Sequence, residues 1–304
     1  MSSALRRYLQ LDVFARSPGA GNPLGVVFDA AGMDAASMQA FAAWTNLSET
    51  IFLLPPQSAA ADYRVRIFTP RQELPFAGHP SVGAAWAAVD GGGLARAVAT
   101  LTQECAAGLL PVRIQTRNDR RSVHVRAPRA APAPFDSTAI APHLAAAIRG
   151  LSLGAQEPAL WSNGPDWWLV ELSDEAAVRA LQPDLAAIAA LTVASGAVGL
   201  AVYGRARNVE NDYQLAVRAF CPADNIPEDP VTGSANACIA ALLAQAGSLP
   251  GSGGRYRASQ GREVGRDGIV EVEVAAGGEV WIGGEVQRVI EGSVVWPDTM
   301  PERP

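Results

Sequence analysis

The 304-residue sequence contains no lysine, and all 24 of its basic residues are arginine. Pyridoxal-phosphate enzymes and Schiff-base aldolases use a lysine amine as a covalent anchor, so both classes of enzyme are excluded. A P-loop is excluded as well, because its Gly-Lys-Ser/Thr core is missing. No Gly-x-Gly-x-x-Gly pattern separates a predicted strand from a predicted helix, so nothing favours dinucleotide binding. We therefore expect no organic cofactor.

Cysteine and histidine are scarce. Cys105, Cys221 and Cys238 are too few and too scattered for a disulfide framework or a cysteine-rich zinc site. The three histidines are far apart in the sequence and show no His-x-x-x-His spacing. We expect no metal site, and we interpret the cysteines as small core residues.

Long apolar runs and basic clusters are missing too. No stretch reaches the roughly 18 uninterrupted apolar residues that a membrane span needs. Residues 1–7 lead directly into an alternating strand pattern without a secretory apolar core. A net charge of −6 with no basic cluster gives no footprint for nucleic acid. The sequence predicts a soluble cytoplasmic protein whose partner is a small molecule rather than a membrane or a nucleic acid.

The residues that are present predict a mixed α/β protein. Apolar residues make up 49% of the chain and charged residues 18%, which is enough for two domains with sizeable cores. Residues 127–135, with three prolines, are typical of a linker between halves. Hydrophobic periodicity predicts strands at 8–14, 24–28, 51–54 and 63–68, and helices at 34–44, 81–89 and 235–246.

The second half of the sequence repeats the first. Residues 66–70, followed by Pro75, match residues 218–222, followed by Pro227, with a shift of 152 positions. Each segment then reaches a glycine that opens an apolar helix, Gly78 or Gly233. The repeat predicts two α/β (α+β) domains, 1–128 with 290–304, and 129–289. Duplicated domains commonly bind a ligand where they meet, so we expect the ligand site at the two helix starts.

The first helix start contains His79. Proline is favoured at the first helical position, so Pro80 should open the helix and His79 should cap it. A helix N-terminus carries free N–H groups and partial positive charge, which suit a carboxylate ligand and disfavour an imidazolium. We therefore expect a neutral His79 here, with an ordinary capping histidine as the alternative.

The second helix start contains Asp229 and Ser234. Ser234 can cap its helix or donate a hydrogen bond to an anion. Asp229 lies on the preceding loop, where it either faces a ligand or simply stabilises the turn. Glu49 is a third candidate, because it lies at the mouth of an apolar strand where partial burial would raise its pKa toward neutrality. A carboxyl with a raised pKa can accept and return a proton, although most glutamates are exposed and inert.

Several motifs, in order along nearly the whole chain, resemble the phenazine-biosynthesis PhzF-like isomerase family. They are Asn-Leu-Ser-Glu-Thr at 46–50, Phe-Thr-Pro at 68–70, Glu-Leu-Pro-Phe-Ala-Gly-His-Pro at 73–80 and Asp-Pro-Val-Thr-Gly-Ser-Ala at 229–235, with shorter blocks at 21–23, 163–165 and 260–261. The resemblance implies a diaminopimelate-epimerase-like fold. In that fold, two pseudo-symmetric domains each wrap a curled sheet around a central buried helix, and the active site lies in the cleft between them.

The resemblance also implies roles for individual residues. The activity would be isomerisation of trans-2,3-dihydro-3-hydroxyanthranilate or a similar small carboxylate, without metal or organic cofactor, by a homodimer. Glu49 would transfer the proton, and His79 and Asp229 would hold the amine or hydroxyl side of the substrate. The expected substrate-binding residues are Gly78, Gly233, Ser234, Asn163 and Gln260.

Two departures from the family leave alternatives open. Racemases and epimerases of this fold use paired thiols, and the corresponding positions here hold Ala77 and Thr232. The residues that follow Asp229 differ from the small ones that the resemblance leads us to expect in the phenazine enzymes. Epimerisation of an amino or hydroxy acid is therefore one alternative, and a non-catalytic metabolite-binding protein is another. Four tryptophans could line the pocket or belong to the core: Trp44, Trp161, Trp167 and Trp168.

Overall fold

The computed structural model describes residues 3–91, 99–117, 120–207 and 212–300. The chain divides into two compact units, Met1–Arg126 with Gly283–Pro304, and Ala127–Ile282. Both units combine strands and helices, so the predicted fold class is confirmed. The C-terminal segment of the first unit begins at Gly283, whereas the sequence placed it at 290.

The first unit is a sheet with one helix at its centre and another packed against two of its interior strands. Its elements before the C-terminal segment are β1 (Ser3–Val13), β2 (Asn22–Val27), α1 (Ala35–Thr45), β3 (Glu49–Leu54), β4 (Tyr63–Phe68), β5 (Glu73–Leu74), α2 (Gly78–Gly91), β6 (Thr100–Cys105), β7 (Gly108–Arg117) and β8 (Arg120–Arg126). Helix α2 contacts six of these strands, β1 to β4, β6 and β8. The sheet therefore curls around α2, as a helix that is apolar on all sides requires.

Close packing between α2 and the sheet depends on a small residue. A Cβ added at Gly83 would lie 2.3 Å from Cδ2 of Leu24 in β2, so a larger residue would push the helix away from the sheet. Helix α1 is stabilised at both ends. The Asp34 side chain accepts a hydrogen bond from the Ser37 N–H at its start, and Asn46 ends it with a left-handed φ of 52°. Asn46 thus turns the chain into β3 and delivers Glu49 to the strand's first position.

The second unit contains a similar arrangement with more helices. Its elements are β9 (Ala131–Pro132), α3 (Ser137–Ala147), β10 (Ala159–Ser162), β11 (Asp166–Glu171), α4 (Glu175–Ala180), α5 (Leu185–Ser195), β12 (Gly199–Arg205), β13 (Leu215–Cys221), β14 (Ile226–Asp229), α6 (Gly233–Gln245), β15 (Arg255–Gln260), β16 (Gly268–Val274) and the first residues of β17 (Val280–Pro297). Helix α6 is the buried helix and contacts β9, β11 and β16. The expected linker is partly a strand, because β9 pairs with β10.

Strand pairing follows the same order in both units. In the first, β1–β2 is antiparallel, β2–β3 parallel, β3–β4 and β4–β5 antiparallel, β4–β6 parallel and β6–β7 antiparallel. The pairs β10–β11, β11–β12, β12–β13, β13–β14, β13–β15 and β15–β16 repeat this series. The internal duplication inferred from the sequence is therefore visible in the topology.

The strand pairing also corrects the alignment of the two halves. Arg66 binds Glu73 and Arg218 binds Glu228, so the shift between equivalents grows from 152 to 155 residues before the helices. The counterpart of Pro75 is therefore Pro230 rather than Pro227. The inserted residues fall within a 3-10 turn at Pro222–Asp224 and a bulge in the β13–β14 pairing.

The last strand returns to the first unit. β17 pairs antiparallel with β1 along the whole of β1, from Ser3 opposite Pro297 to Val13 opposite Val286. The chain's end thus completes the sheet in which its beginning lies. None of the helices in the described part of the chain combines the length and apolar character that crossing a bilayer requires.

Candidate active site

Glu49 and His79 lie side by side in the first unit. Glu49 is the first residue of β3 and His79 is the second residue of α2. Their Oε2 and Nε2 atoms are 3.2 Å apart, with side-chain exposures of 17% and 6%. At this distance the two side chains are in direct contact. This arrangement places a carboxylate and an imidazole where both can face one reacting group.

His79 is neutral in the folded protein. Burial lowers the pKa of His79 from 6.5 to about 3. The predicted neutral state is thus supported, but burial is the cause, whereas the sequence argument relied on the helix N-terminus. The predicted capping role is wrong, because α2 begins at Gly78 and includes His79 in its first turn. Pro80 remains compatible, since the first-turn N–H groups need no intrahelical partner.

A buried polar network holds the start of α2 against the sheet. Gln103 in β6 is fully buried and donates from Nε2 to Ser81 Oγ at 3.0 Å. The Tyr63 hydroxyl donates to Gln103 Oε1 at 3.1 Å. Gly78, which the sequence assigned to substrate binding, is buried at the first position of the helix. The first turn of α2 therefore has a defined position relative to β3 and Glu49.

In the second unit, Asp229 is bound to the loop that leads into α6. The Thr232 hydroxyl donates to Asp229 Oδ2 at 2.5 Å, and Thr232 is the residue before Gly233, the first of the helix. Gln260 is fully buried and donates from Nε2 to the Asp229 carbonyl at 3.0 Å and to Thr232 Oγ1 at 2.9 Å. Its Oε1 accepts from the Thr232 N–H and from Asn236 Nδ2, each at 3.1 Å. Gln260 thus fixes the loop that carries Asp229.

Ser234 is bound from two sides at the start of α6. Trp167 in β11 donates from Nε1 to Ser234 Oγ at 3.1 Å, and Asn163 donates from Nδ2 to the Ser234 carbonyl at 3.0 Å. Asn163 is 2% exposed, and no described residue donates a hydrogen bond to its Oδ1. Ser234 itself is only half-buried. Its hydroxyl is therefore oriented by protein groups and still able to reach a ligand.

The thiols do not occupy the positions that two-base racemisation needs. Ala77 and Thr232 directly precede the two buried helices. Burial raises the pKa of the Cys105 and Cys238 thiols, which keeps both in the unreactive protonated form. Within the described ranges, no three His, Cys, Asp or Glu side chains form a group that could hold a metal ion.

A family model described as "Phenazine biosynthesis-like protein" (PhzC-PhzF) matches residues 11–292. The chain belongs to this family. The trans-2,3-dihydro-3-hydroxyanthranilate isomerase of Pseudomonas aeruginosa is 34% identical over 280 residues, covering 90% of this chain and 92% of that protein. Antisense-enhancing sequence 1 of Schizosaccharomyces pombe is 32% identical over 292 residues, covering 94% of this chain and 97% of that protein.

A solved structure shows the same fold. The PhzF-family phenazine biosynthesis protein of Bacillus anthracis is 26% identical, with a TM-score of 0.79 over 96% of this chain and 99% of that one. The resemblance on which the fold prediction relied is thereby confirmed. Several relatives of this chain are named isomerases, which supports the predicted class of enzyme.

Sequence reasoning missed part of the second helix start. Thr232 and Asn236 take part in the hydrogen-bond network there. The sequence also did not decide whether Trp167 lines the pocket or belongs to the core. Trp167 is 2% exposed, so it belongs to the core, and from there its indole donates to Ser234. Alternation along β11 could have placed its side chain on the α6 face. Trp44, by contrast, is 71% exposed and contacts Trp296.

Proposed function

We propose that this PhzF-family protein is a cofactor-independent isomerase that moves a proton between two carbons of a small carboxylate. The contact that carries this proposal is Glu49 Oε2 at 3.2 Å from the neutral His79 ring. The first substrate to test is trans-2,3-dihydro-3-hydroxyanthranilate, the compound named for its 34% identical relative.

Glu49 acts as the acid–base residue. Its carboxylate removes a proton from one ring carbon, and the electron pair of the broken C–H bond moves into the conjugated system. The protonated carboxyl then returns the proton to another carbon of that system, so the composition of the molecule does not change. A positioned group of this kind contributes about 10²- to 10⁴-fold to the rate.

The neutral state of His79 matters for this cycle. An imidazolium beside Glu49 would stabilise the carboxylate and oppose its protonation. A neutral imidazole can donate or accept a hydrogen bond without that charge. We propose that His79 and Asp229 hold the amine or hydroxyl side of the substrate. Ser234, with the backbone N–H groups at the start of α6, would hold the carboxylate.

The test is proton NMR of trans-2,3-dihydro-3-hydroxyanthranilate in heavy water with the wild type, Glu49→Gln and Glu73→Gln. Glu73 is a matched control, because it is a glutamate of the same unit that binds Arg66 on the surface. We expect conversion by the wild type and Glu73→Gln. Conversion by Glu49→Gln should be slower by about 10²-fold or more.

Other outcomes would contradict parts of the proposal. Equal conversion by Glu49→Gln and the wild type would remove Glu49 as the acid–base residue. No conversion by any of the three proteins would remove this substrate. Deuterium entering a stereocentre of an otherwise unchanged amino or hydroxy acid would instead establish epimerisation. Binding of a carboxylate without any exchange would indicate a metabolite-binding protein.

A further inference from the structure

The second unit has no acid–base residue at the position equivalent to Glu49. Phe68 and Phe220 are equivalents in the repeat, and each pairs with a residue of the neighbouring strand, Thr50 and Leu200. The residue before each partner is Glu49 in β3 and Gly199 in β12. Duplication has therefore left a carboxylate in one unit and a glycine in the other.

Trp167 occupies the space that a side chain at position 199 would need. A Cβ added at Gly199 would lie 2.5 Å from Cζ3 of Trp167 and 2.6 Å from the Phe220 carbonyl oxygen. Both distances are too short for any real contact, and the carbonyl belongs to the backbone and cannot move aside. In the first unit Leu24 takes the place of Trp167, since Leu24 pairs with Glu49 as Trp167 pairs with Gly199. The absence of a carboxylate at this position thus coincides with the presence of the indole.

The indole contacts the residue that corresponds to His79. Ser234 is the second residue of α6, as His79 is the second residue of α2. Because an indole N–H can only donate, the Ser234 oxygen must be the acceptor of their 3.1 Å hydrogen bond. The hydroxyl proton of Ser234 must then point elsewhere. The bond from Asn163 to the Ser234 carbonyl fixes the backbone at the same residue.

From this geometry we infer that Trp167 is a positioning residue that aims the Ser234 hydroxyl at the substrate carboxylate. The inference rests on the carboxylate-binding part of the proposed function. At the positions equivalent to Glu49 and His79 the second unit has Gly199 and Ser234, and Trp167 packs against Gly199 and donates to Ser234. Ser234 therefore contributes recognition of the anion rather than proton transfer.

The experiment compares Trp167→Phe with Trp168→Phe by calorimetric titration with anthranilate, an aromatic amino acid with the required carboxylate. Trp168 is a matched control: it is fully buried in the same strand and donates to a serine, Ser195 of α5, at 3.0 Å. We expect Trp167→Phe to raise the Kd of anthranilate about 5- to 30-fold, as the loss of a 1–2 kcal/mol hydrogen bond predicts. In turnover assays with the proposed substrate, KM should rise by a larger factor than kcat falls.

The Ser234→Ala variant distinguishes a positioning role of Trp167 from a general loss of structure. In Ser234→Ala, the further change Trp167→Phe should have no effect on anthranilate binding, because the hydroxyl that Trp167 orients is gone. Aniline, which lacks the carboxylate, should bind no better to the wild type than to Trp167→Phe. We expect Trp168→Phe to lower stability and leave the Kd within about twofold.

Three results would overturn the inference. They are an unchanged Kd in Trp167→Phe, an equal rise in Trp168→Phe, or no anthranilate binding by the wild type. Failure of the proposed isomerase is a different result. In that case anthranilate would bind in a Trp167-dependent way, but trans-2,3-dihydro-3-hydroxyanthranilate would not be converted. This result would support the positioning role of Trp167 and contradict the proposed isomerase reaction.

Discussion

The two strands before each buried helix are joined by the same arginine–glutamate pair, which lies in a different environment in each unit. Arg66 donates to both carboxylate oxygens of Glu73 at 2.7 Å, with side-chain exposures of 27% and 36%. Arg218 donates to both oxygens of Glu228 at 2.9 and 2.8 Å, with exposures of 5% and 8%. Each arginine also lies over a phenylalanine two residues later. The duplication preserved the contact while its surroundings changed.

An additional helix explains the change. Arg218 also donates from Nη1 to the carbonyl oxygens of Val178 and Leu181, at the end of α4. In the first unit a three-residue 3-10 turn, Ala30–Gly32, and one α-helix, α1, connect β2 and β3, whereas two α-helices, α4 and α5, connect β11 and β12. The added helix buries the second pair and gives its guanidinium further acceptors. A repeated motif therefore need not have the same energetic role in both copies.

The largest difference between the copies should appear on removing the arginine. Arg218→Gln leaves Glu228 as a buried charge without its partner, and we expect the free energy of unfolding to fall by about 3–5 kcal/mol. Arg66→Gln affects a pair that water already screens, so the expected loss is below about 1 kcal/mol. Urea unfolding at pH 7 measures both. Equal losses would show that burial does not determine how much this ion pair contributes to the free energy of unfolding.

The buried glutamines offer a second comparison. Gln260→Ala leaves the Thr232 N–H and the Asp229 carbonyl without their partner, and we expect a loss of about 2–3 kcal/mol. Because the loop with Asp229 is then free to move, KM for the substrate should rise. Gln103→Ala removes one bond from Tyr63 and one to Ser81, so its cost should be about 1–2 kcal/mol. Steady-state kinetics would contradict this reasoning if only Gln103→Ala raised KM.

The last prediction concerns pH. Because the folded-state pKa of His79 is about 3 and its unfolded value is 6.5, the unfolded state binds a proton first as pH falls. His79 therefore reduces stability below pH 6.5, by up to about 1.4 kcal/mol for each pH unit down to about 3. His79→Asn should flatten this acid limb in urea titrations at pH 7, 6 and 5. Parallel curves for the two proteins would contradict the buried neutral histidine.

Local patterns were sufficient to predict much of the molecule. The helix predicted at 34–44 is α1 at Ala35–Thr45, and those at 81–89 and 235–246 are α2 and α6. Helix α2 begins three residues earlier than predicted and α6 two residues earlier, because Gly78 and Gly233 are the first residues of these helices. Continuous apolar runs, and a repeat of about half the chain length, can be recognised in a single sequence. Helix ends depend on the surrounding contacts, which a single sequence does not display.

The sequence by itself determined the fold class, the duplication and the residue types available for chemistry, because periodicity, repeated motifs and the lack of lysine need no coordinates. Only the tertiary structure decided which of them meet. Glu49 and His79 are 30 positions apart in sequence yet 3.2 Å apart in space. Trp167 and Ser234 are 67 positions apart and joined by a hydrogen bond. Strand register and helix packing bring such residues together, and both are set by long-range contacts rather than by neighbours along the chain.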